Sequence, residues 1–263
     1  MKVIDCHAHI FPPKIEEKAV KSISDFYWSA PMSHGGSPEE LLEAGAQIGV
    51  EKYLVFSTAT VPQQVVSIND FIIGESRTHE EFWGVGTMHI DFEDFEAELW
   101  RIWEAGIKGI KLHTDFQRFN IDDERMMPVY AQMEDMGMFL VAHIGDPRTD
   151  YSHPRRMANI ARRFPKMKCL AAHFGGWGIW DSEPRDCLQL PNVYVDTSST
   201  FFYASRESSL REVRRFDLHR VLFATDFPMG DHKKELDFLL TTGLTDSELD
   251  DVLYNNAMAF YHE

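Results

Sequence analysis

VIDCHAH, residues 3–9, is the stretch whose reading decides the fold. Histidines two apart share a face on a β-strand and not on an α-helix. Read as a strand, the stretch aims Asp5, His7 and His9 to one side and Cys6 and Ala8 to the other. Seven more short apolar runs follow, at 52–57, 82–87, 109–113, 139–143, 168–173, 193–196 and 221–226. Helix-like stretches alternate with them at 38–48, 63–79, 92–105, 124–136, 153–163, 179–188, 206–216 and 231–240, and a last one covers 246–261. This alternation predicts a parallel sheet with helical crossovers. An open doubly wound sheet and a closed barrel both satisfy it. A count of eight favours a single (β/α)8 TIM barrel, and the 263-residue length suits one such domain over 1–263.

Local chemistry supports the element boundaries. Ser37, Pro38 and Glu40 give an N-cap, a proline at the first helical position and a glutamate at the third. Thr245 and Glu248 repeat the capping-box spacing. Gly49 and Gly137 stand where helix ends favour positive φ. The longest stretch without an assigned element is 10–37, rich in aromatics and proline. A loop of that length is expected to be a lid or insertion after the first strand, or an accessory helix pair over the barrel rim.

The polar residues give a second reason for a barrel. The first run ends in His7 and His9, the fifth in His143, the sixth in His173 and the eighth in Asp226. Parallel α/β architectures gather functional groups at the carboxyl ends of their strands. Period two then places Phe139, Val141 and His143 on one face. It does the same for Cys169, Ala171 and His173, and for Leu222, Ala224 and Asp226. On the fourth run it points Lys111 and His113 inward, and on the seventh Tyr194 and Asp196. Only a closed barrel brings the eighth strand, with Asp226, beside the first. Imidazoles and a carboxylate without a nearby thiolate suit Zn²⁺, with Mn, Fe or Co as alternatives.

Composition excludes other classes. The formal charge is −16, which opposes binding to nucleic acid or an anionic membrane. Three cysteines without CxxC spacing fit a reducing cytoplasm better than a disulfide framework. The start MKVIDCHAHI lacks a signal-peptide core, and no apolar run approaches the ~20 residues of a membrane span.

Together, DCHAHIF, GIKLHTDFQ, VAHIGDP, AHFGGW, FATDFP and the ending ELDDVLYNNAMAFYHE resemble the amidohydrolase superfamily. They are most similar to the amidohydrolase-related branch that includes aminocarboxymuconate-semialdehyde decarboxylase. The resemblance spans nearly the whole chain in order. It implies a distorted (β/α)8 barrel holding one divalent metal, with His7, His9, His143 and Asp226 as ligands and His173 as the catalytic histidine. It also implies a metal-activated water that attacks the carbonyl of a small amide, lactone or β-keto acid, with Asp226 doubling as proton shuttle. The alternative reaction within the branch is non-oxidative decarboxylation of an unsaturated or aromatic carboxylic acid. A non-catalytic binding barrel is the remaining, weaker reading. Related barrels often dimerise, so a homodimer is expected.

Single residues carry less than the set. His7 and His9 alone could be polar residues of an edge strand, and a lone strand-end histidine is more often a packing residue than a ligand. His173 could instead ligate a second metal. For Lys111 the simpler account is an ion pair with Asp5 or Asp196, and the sharper one is contact with a substrate carboxylate. In binuclear superfamily members a lysine at that place is carbamylated and bridges two metals. Arg118, Arg148 and Arg155 follow the fourth and fifth strands, and Arg148 is the candidate for gripping an acidic substrate. His113 and Trp177 are further candidate substrate contacts, with packing of the barrel top as the bland account of Trp177.

Overall fold

β1 (Val3–His9), β2 (Val50–Phe56) and β3 (Phe82–Gly84) pair in parallel, in that order. This computed structural model describes residues 1–183 and 185–262. A second parallel sheet runs β4 (Gly86–Thr87), β5 (Gly109–Leu112), β6 (Phe139–Ala142), β7 (Cys169–Ala171), β8 (Val193–Asp196) and β9 (Val221–Leu222). Only Val85 separates β3 from β4, and its N–H donates to Val55 O at 2.9 Å. The two are pieces of one barrel strand, the third run of the sequence. At the other seam Cys6 N donates to Phe223 O (3.0 Å), Asp226 N to His7 O (2.9 Å) and His9 N to Phe227 O (2.7 Å). The last strand therefore closes on the first, and the sheet is an eight-run (β/α)8 barrel, as the alternation predicts.

The helices cover the outside. Ser37 Oγ accepts from Glu40 N, and the capping box of Thr245 and Glu248 forms with both bonds. Gly49 and Gly137 take positive φ at 76° and 68°. Two expected helices differ. The stretch 179–188 is turns and a short 3-10 helix, Asp186–Leu188, with Pro184 outside the described residues. The stretch 246–261 breaks into Asp246–Asp250, a π-helical turn Asp251–Asn255, and Asn256–His262. The segment after β1 carries one helix, Glu16–Phe26, rather than a pair. Among the described residues no helix is long and apolar enough to cross a membrane.

Two apolar clusters separate the inside of the barrel from the strand–helix layer. The smaller one joins Ile4, Leu54, Phe56, Val85, Val141, Leu170, Leu222 and Ala224. Phe260 of the last helix caps it from below, 4.8 Å from the Phe139 ring. The larger cluster joins Val3, Tyr53, Ile110, Leu140 and Val195 with helix residues such as Leu41, Leu99 and Met157. Each fully buried leucine or phenylalanine in these layers stabilises the fold by roughly 1.5–3 kcal/mol relative to exposure.

The cluster membership corrects the period-two reading twice. On β1 the pairing with β2 slips between Asp5 and Ala8. Asp5 therefore faces the helix layer, where Thr225 and His232 meet it, and Cys6 joins the interior. A bulge puts one extra residue into the strand and re-aims the side chains beyond it. His7 and His9 still face inward, both against Phe56. On β7, Leu170 is the inward residue, while Cys169 and Ala171 pack on the helices. The strand stops at Ala171, and His173 and Phe174 adopt left-handed φ of 61° and 49°. That uncommon conformation, not strand alternation, turns His173 inward.

Candidate metal centre

At the carboxyl ends of the strands, His7 and His9 of β1 meet Asp226, which follows β9. Asp226 Oδ1 is 3.3 Å from His7 Nε2 and 3.6 Å from His9 Nε2. Its other oxygen accepts from Ser199 Oγ. His143 follows β6 directly and presents Nδ1 to His173 Nε2 at 2.9 Å. Donor atoms of His7, His173 and Asp226 all lie within 4.8 Å of one another. The structure thus draws His7, His173 and Asp226 into one cluster; His9 reaches it through Asp226 and His143 through His173, and all five line one pocket.

The outer nitrogens fix the protonation of these rings. His7 Nδ1 lies 3.0 Å from Asp196 Oδ2, His143 Nε2 lies 2.7 Å from Gly145 O, and His173 Nδ1 lies 3.0 Å from Ser198 O. A carboxylate and two carbonyls can only accept, so each of these nitrogens carries the hydrogen. The opposite nitrogens, His7 Nε2, His143 Nδ1 and His173 Nε2, are then lone pairs that converge. Adding a proton to relieve them is disfavoured. Burial pushes all three imidazoles well below the usual histidine range, and Lys111 pushes them further. His9 shifts the same way for the same reason. Neutral imidazoles oriented by outer hydrogen bonds are the donor arrangement of a divalent-metal site. The residues present therefore fit a divalent metal ion.

Lys111 departs from the simpler expectation. Asp5 is taken up by Thr225 and the His7 backbone, and Asp196 by His7 and the His173 backbone. Lys111 Nζ instead donates to His7 Nε2 at 3.1 Å and sits 4.7 Å over the Phe56 ring. Burial lowers its pKa, against the pull of Asp226 and Asp196.

Of the other candidates, His113 lines the pocket, stacked on His143 at 4.0 Å. Arg148 does not reach into it. Its guanidinium grips Asp146, donates to Phe26 O at 2.6 Å and lies 4.1 Å over the Phe26 ring and 4.5 Å over Trp28. Its carboxylate partner lies two residues away, so the expected grip on an acidic substrate is replaced by a hold on the segment after β1. Trp177 packs the barrel top between Tyr27 at 4.6 Å and Tyr203 at 5.5 Å. Arg118 and Arg155 are exposed. A second trio, Asp115, His143 and Asp146, also lies within 4.8 Å. There Asp146 is held by Arg148, Asp115 accepts from Thr149, and His143 turns its N–H to Gly145 O, so His143 offers this trio no lone pair.

Tyr27 was not legible as a site residue. It follows the helix Glu16–Phe26 and reaches His113 Nε2 with its hydroxyl at 2.7 Å. Its only sequence signal was membership of the aromatic run FYW in a long loop. Ser198 and Ser199 gave no signal at all.

The whole chain has close structural relatives. An uncharacterized TIM-barrel protein from Bordetella bronchiseptica superposes with a TM-score of 0.79 at 17% identity, over 99% of this chain and 98% of that one. A dihydroxybenzoic acid decarboxylase from a Polaromonas species, solved with bound manganese and the inhibitor 2-nitroresorcinol, gives 0.71 at 13% identity, over 99% and 96%. A putative 2-pyrone-4,6-dicarboxylic acid hydrolase from Pseudomonas putida gives 0.66 at 14% identity, over 98% and 97%. No curated protein sequence matches. The amidohydrolase family profile matches residues 4–262. The chain belongs to the amidohydrolase family of metal-dependent enzymes.

Proposed function

We propose that this protein hydrolyses a small carbonyl substrate, an amide, lactone or β-keto acid, with one divalent ion held by His7, His9, His143 and Asp226. Zinc is the expected ion, because imidazole and carboxylate donors suit it. The observation that carries this reading is the convergence of unprotonated ring nitrogens, each held by an outer acceptor. A divalent ion bound there polarises a carbonyl and lowers the pKa of water.

The chain's own groups supply the proton steps. The Asp226 carboxylate doubles as proton acceptor, while Ser199 holds its Oδ2. His173 Nε2, a lone pair at rest, takes up a proton and returns it to the leaving group. Phe116 N donates to His113 Nδ1 at 3.4 Å, so His113 Nε2 carries the hydrogen it shares with Tyr27. The Tyr27 oxygen is then an acceptor, and its own hydrogen is left for a substrate oxygen in the pocket that Tyr27 lines. Burial keeps that phenol protonated. With His7 Nε2 engaged by an ion, Lys111 Nζ would be free to hold a substrate carboxylate. The segment 10–37 acts as a lid on a one-domain barrel.

One observation favours a second reading. A buried ammonium at Lys111, beside the same donors, would hold the carboxylate of an unsaturated or aromatic acid for decarboxylation. Turnover of a panel of lactones, amides and aromatic acids in ¹⁸O-water separates the two. Label in the product supports hydrolysis, and CO₂ release without label overturns it.

A further inference from the structure

The metal pocket has a volume of only about 20 Å³, room for about one water molecule. It can hold a reacting group but not the body of a substrate. Beside it lies a groove of about 550 Å³, a volume ordinary for a small-molecule site. The two share His9, Ile23 and Phe116 as wall residues, so the groove borders the metal centre.

One wall is the helix Glu16–Phe26. Ala19, Ile23 and Phe26, with Ile15 just before the helix, fall on a single stripe. A surface helix ordinarily buries such a stripe, yet no residue of this one is fully buried. The facing wall carries Ile68 and Phe71 from the helix Val65–Thr78, also only partly covered. Apolar surface left wet on both sides of a groove gains free energy when an apolar ligand fills it. Two polar features limit what fits. Thr58 lines the groove, with its Oγ1 buried in the wall and without a hydrogen-bond partner. Among the described residues the lining includes Lys18 and no acidic residue, in a chain of net charge −16.

We propose that this groove binds an apolar arm of the substrate, an aliphatic or aryl-alkyl chain attached to the group that reacts at the metal centre. The substrate class is then a carbonyl compound with a long apolar substituent, not a compact polar acid. This rests on the reading of the metal centre as the reactive site. Lys18 sits at the outer rim.

The test uses linear saturated carboxylates from acetate to decanoate, titrated calorimetrically into the metal-loaded protein. Affinity is expected to rise roughly fourfold per added methylene over several carbons, the value for burying one CH₂. Ala19→Trp, which fills the groove away from the metal centre, should abolish that rise and leave acetate binding unchanged. A flat dependence on chain length in the wild type overturns the proposal, as does decanoate binding to Ala19→Trp at wild-type strength. If a second copy of the chain covers the groove, sedimentation shows a dimer that Ala19→Trp dissociates while chain length has no effect, which also overturns it. The carboxylates bind without turning over, so failure of the hydrolase reading shows in the ¹⁸O experiment and leaves this result intact.

Discussion

His143 Nδ1 and His173 Nε2 face each other at 2.9 Å while each ring gives its hydrogen to a backbone carbonyl. Two lone pairs at that separation repel unless something positive stands near them. Binding a divalent ion should therefore stabilise the fold. With zinc or manganese at a hundred times its dissociation constant the gain is about 2.7 kcal/mol, a rise of roughly 5–10 °C in melting temperature for a chain of this size. His7→Ala should remove most of that rise in differential scanning calorimetry.

Asp196 holds His7 in the tautomer that turns Nε2 inward. Asp196→Asn weakens this hold and should lower metal affinity by about 10–100-fold, the usual cost of losing an orienting partner. Competition with a chelating dye reads the affinity directly, without an activity assay.

The Arg148 contacts tie the segment after β1 to the barrel top. Arg148→Ala should loosen it. Trypsin has exposed targets there at Lys14, Lys18 and Lys21. Cleavage at these sites should speed up severalfold while the barrel itself stays resistant. An unchanged cleavage rate would show that the clamp does not hold the lid.

Glu235 is buried, with Oε2 lacking a hydrogen-bond partner. Burial, helped by Asp226 and Asp5, raises its pKa well above 4.5. The folded chain thus keeps a proton that the unfolded chain releases once pH exceeds its ordinary carboxyl pKa. The contribution of Glu235 to stability is complete below that pKa and is lost as pH rises toward the folded value. Glu235→Gln should leave the melting temperature nearly unchanged at pH 4 and raise it by a few degrees at pH 8. Equal shifts at both pH values would contradict this.

The eight-run alternation and the strand-end residues were enough to read the barrel and the converging His7, His9, His143, His173 and Asp226. Side-chain direction was legible wherever the strands are regular, as for Lys111, Val141 and Leu222. It failed at Asp5 and Cys6, because a bulge is set by pairing with β2 and leaves no periodic trace in β1. It failed in its reason for His173, where left-handed backbone does what alternation was expected to do. Arg148 looked free for an anion because its partner Asp146 and the Phe26 carbonyl meet it only in the folded chain. Tyr27 arrives from a loop whose path no periodicity fixes.

Anomalous diffraction from crystals of protein purified without chelator tests the central claim most directly. One ion should lie about 2.0–2.2 Å from His7 Nε2, His9 Nε2, His143 Nδ1 and Asp226 Oδ1, with Lys111 unmodified. Two ions bridged by a modified Lys111, or an ion seated instead among Asp115, His143 and Asp146, would contradict it.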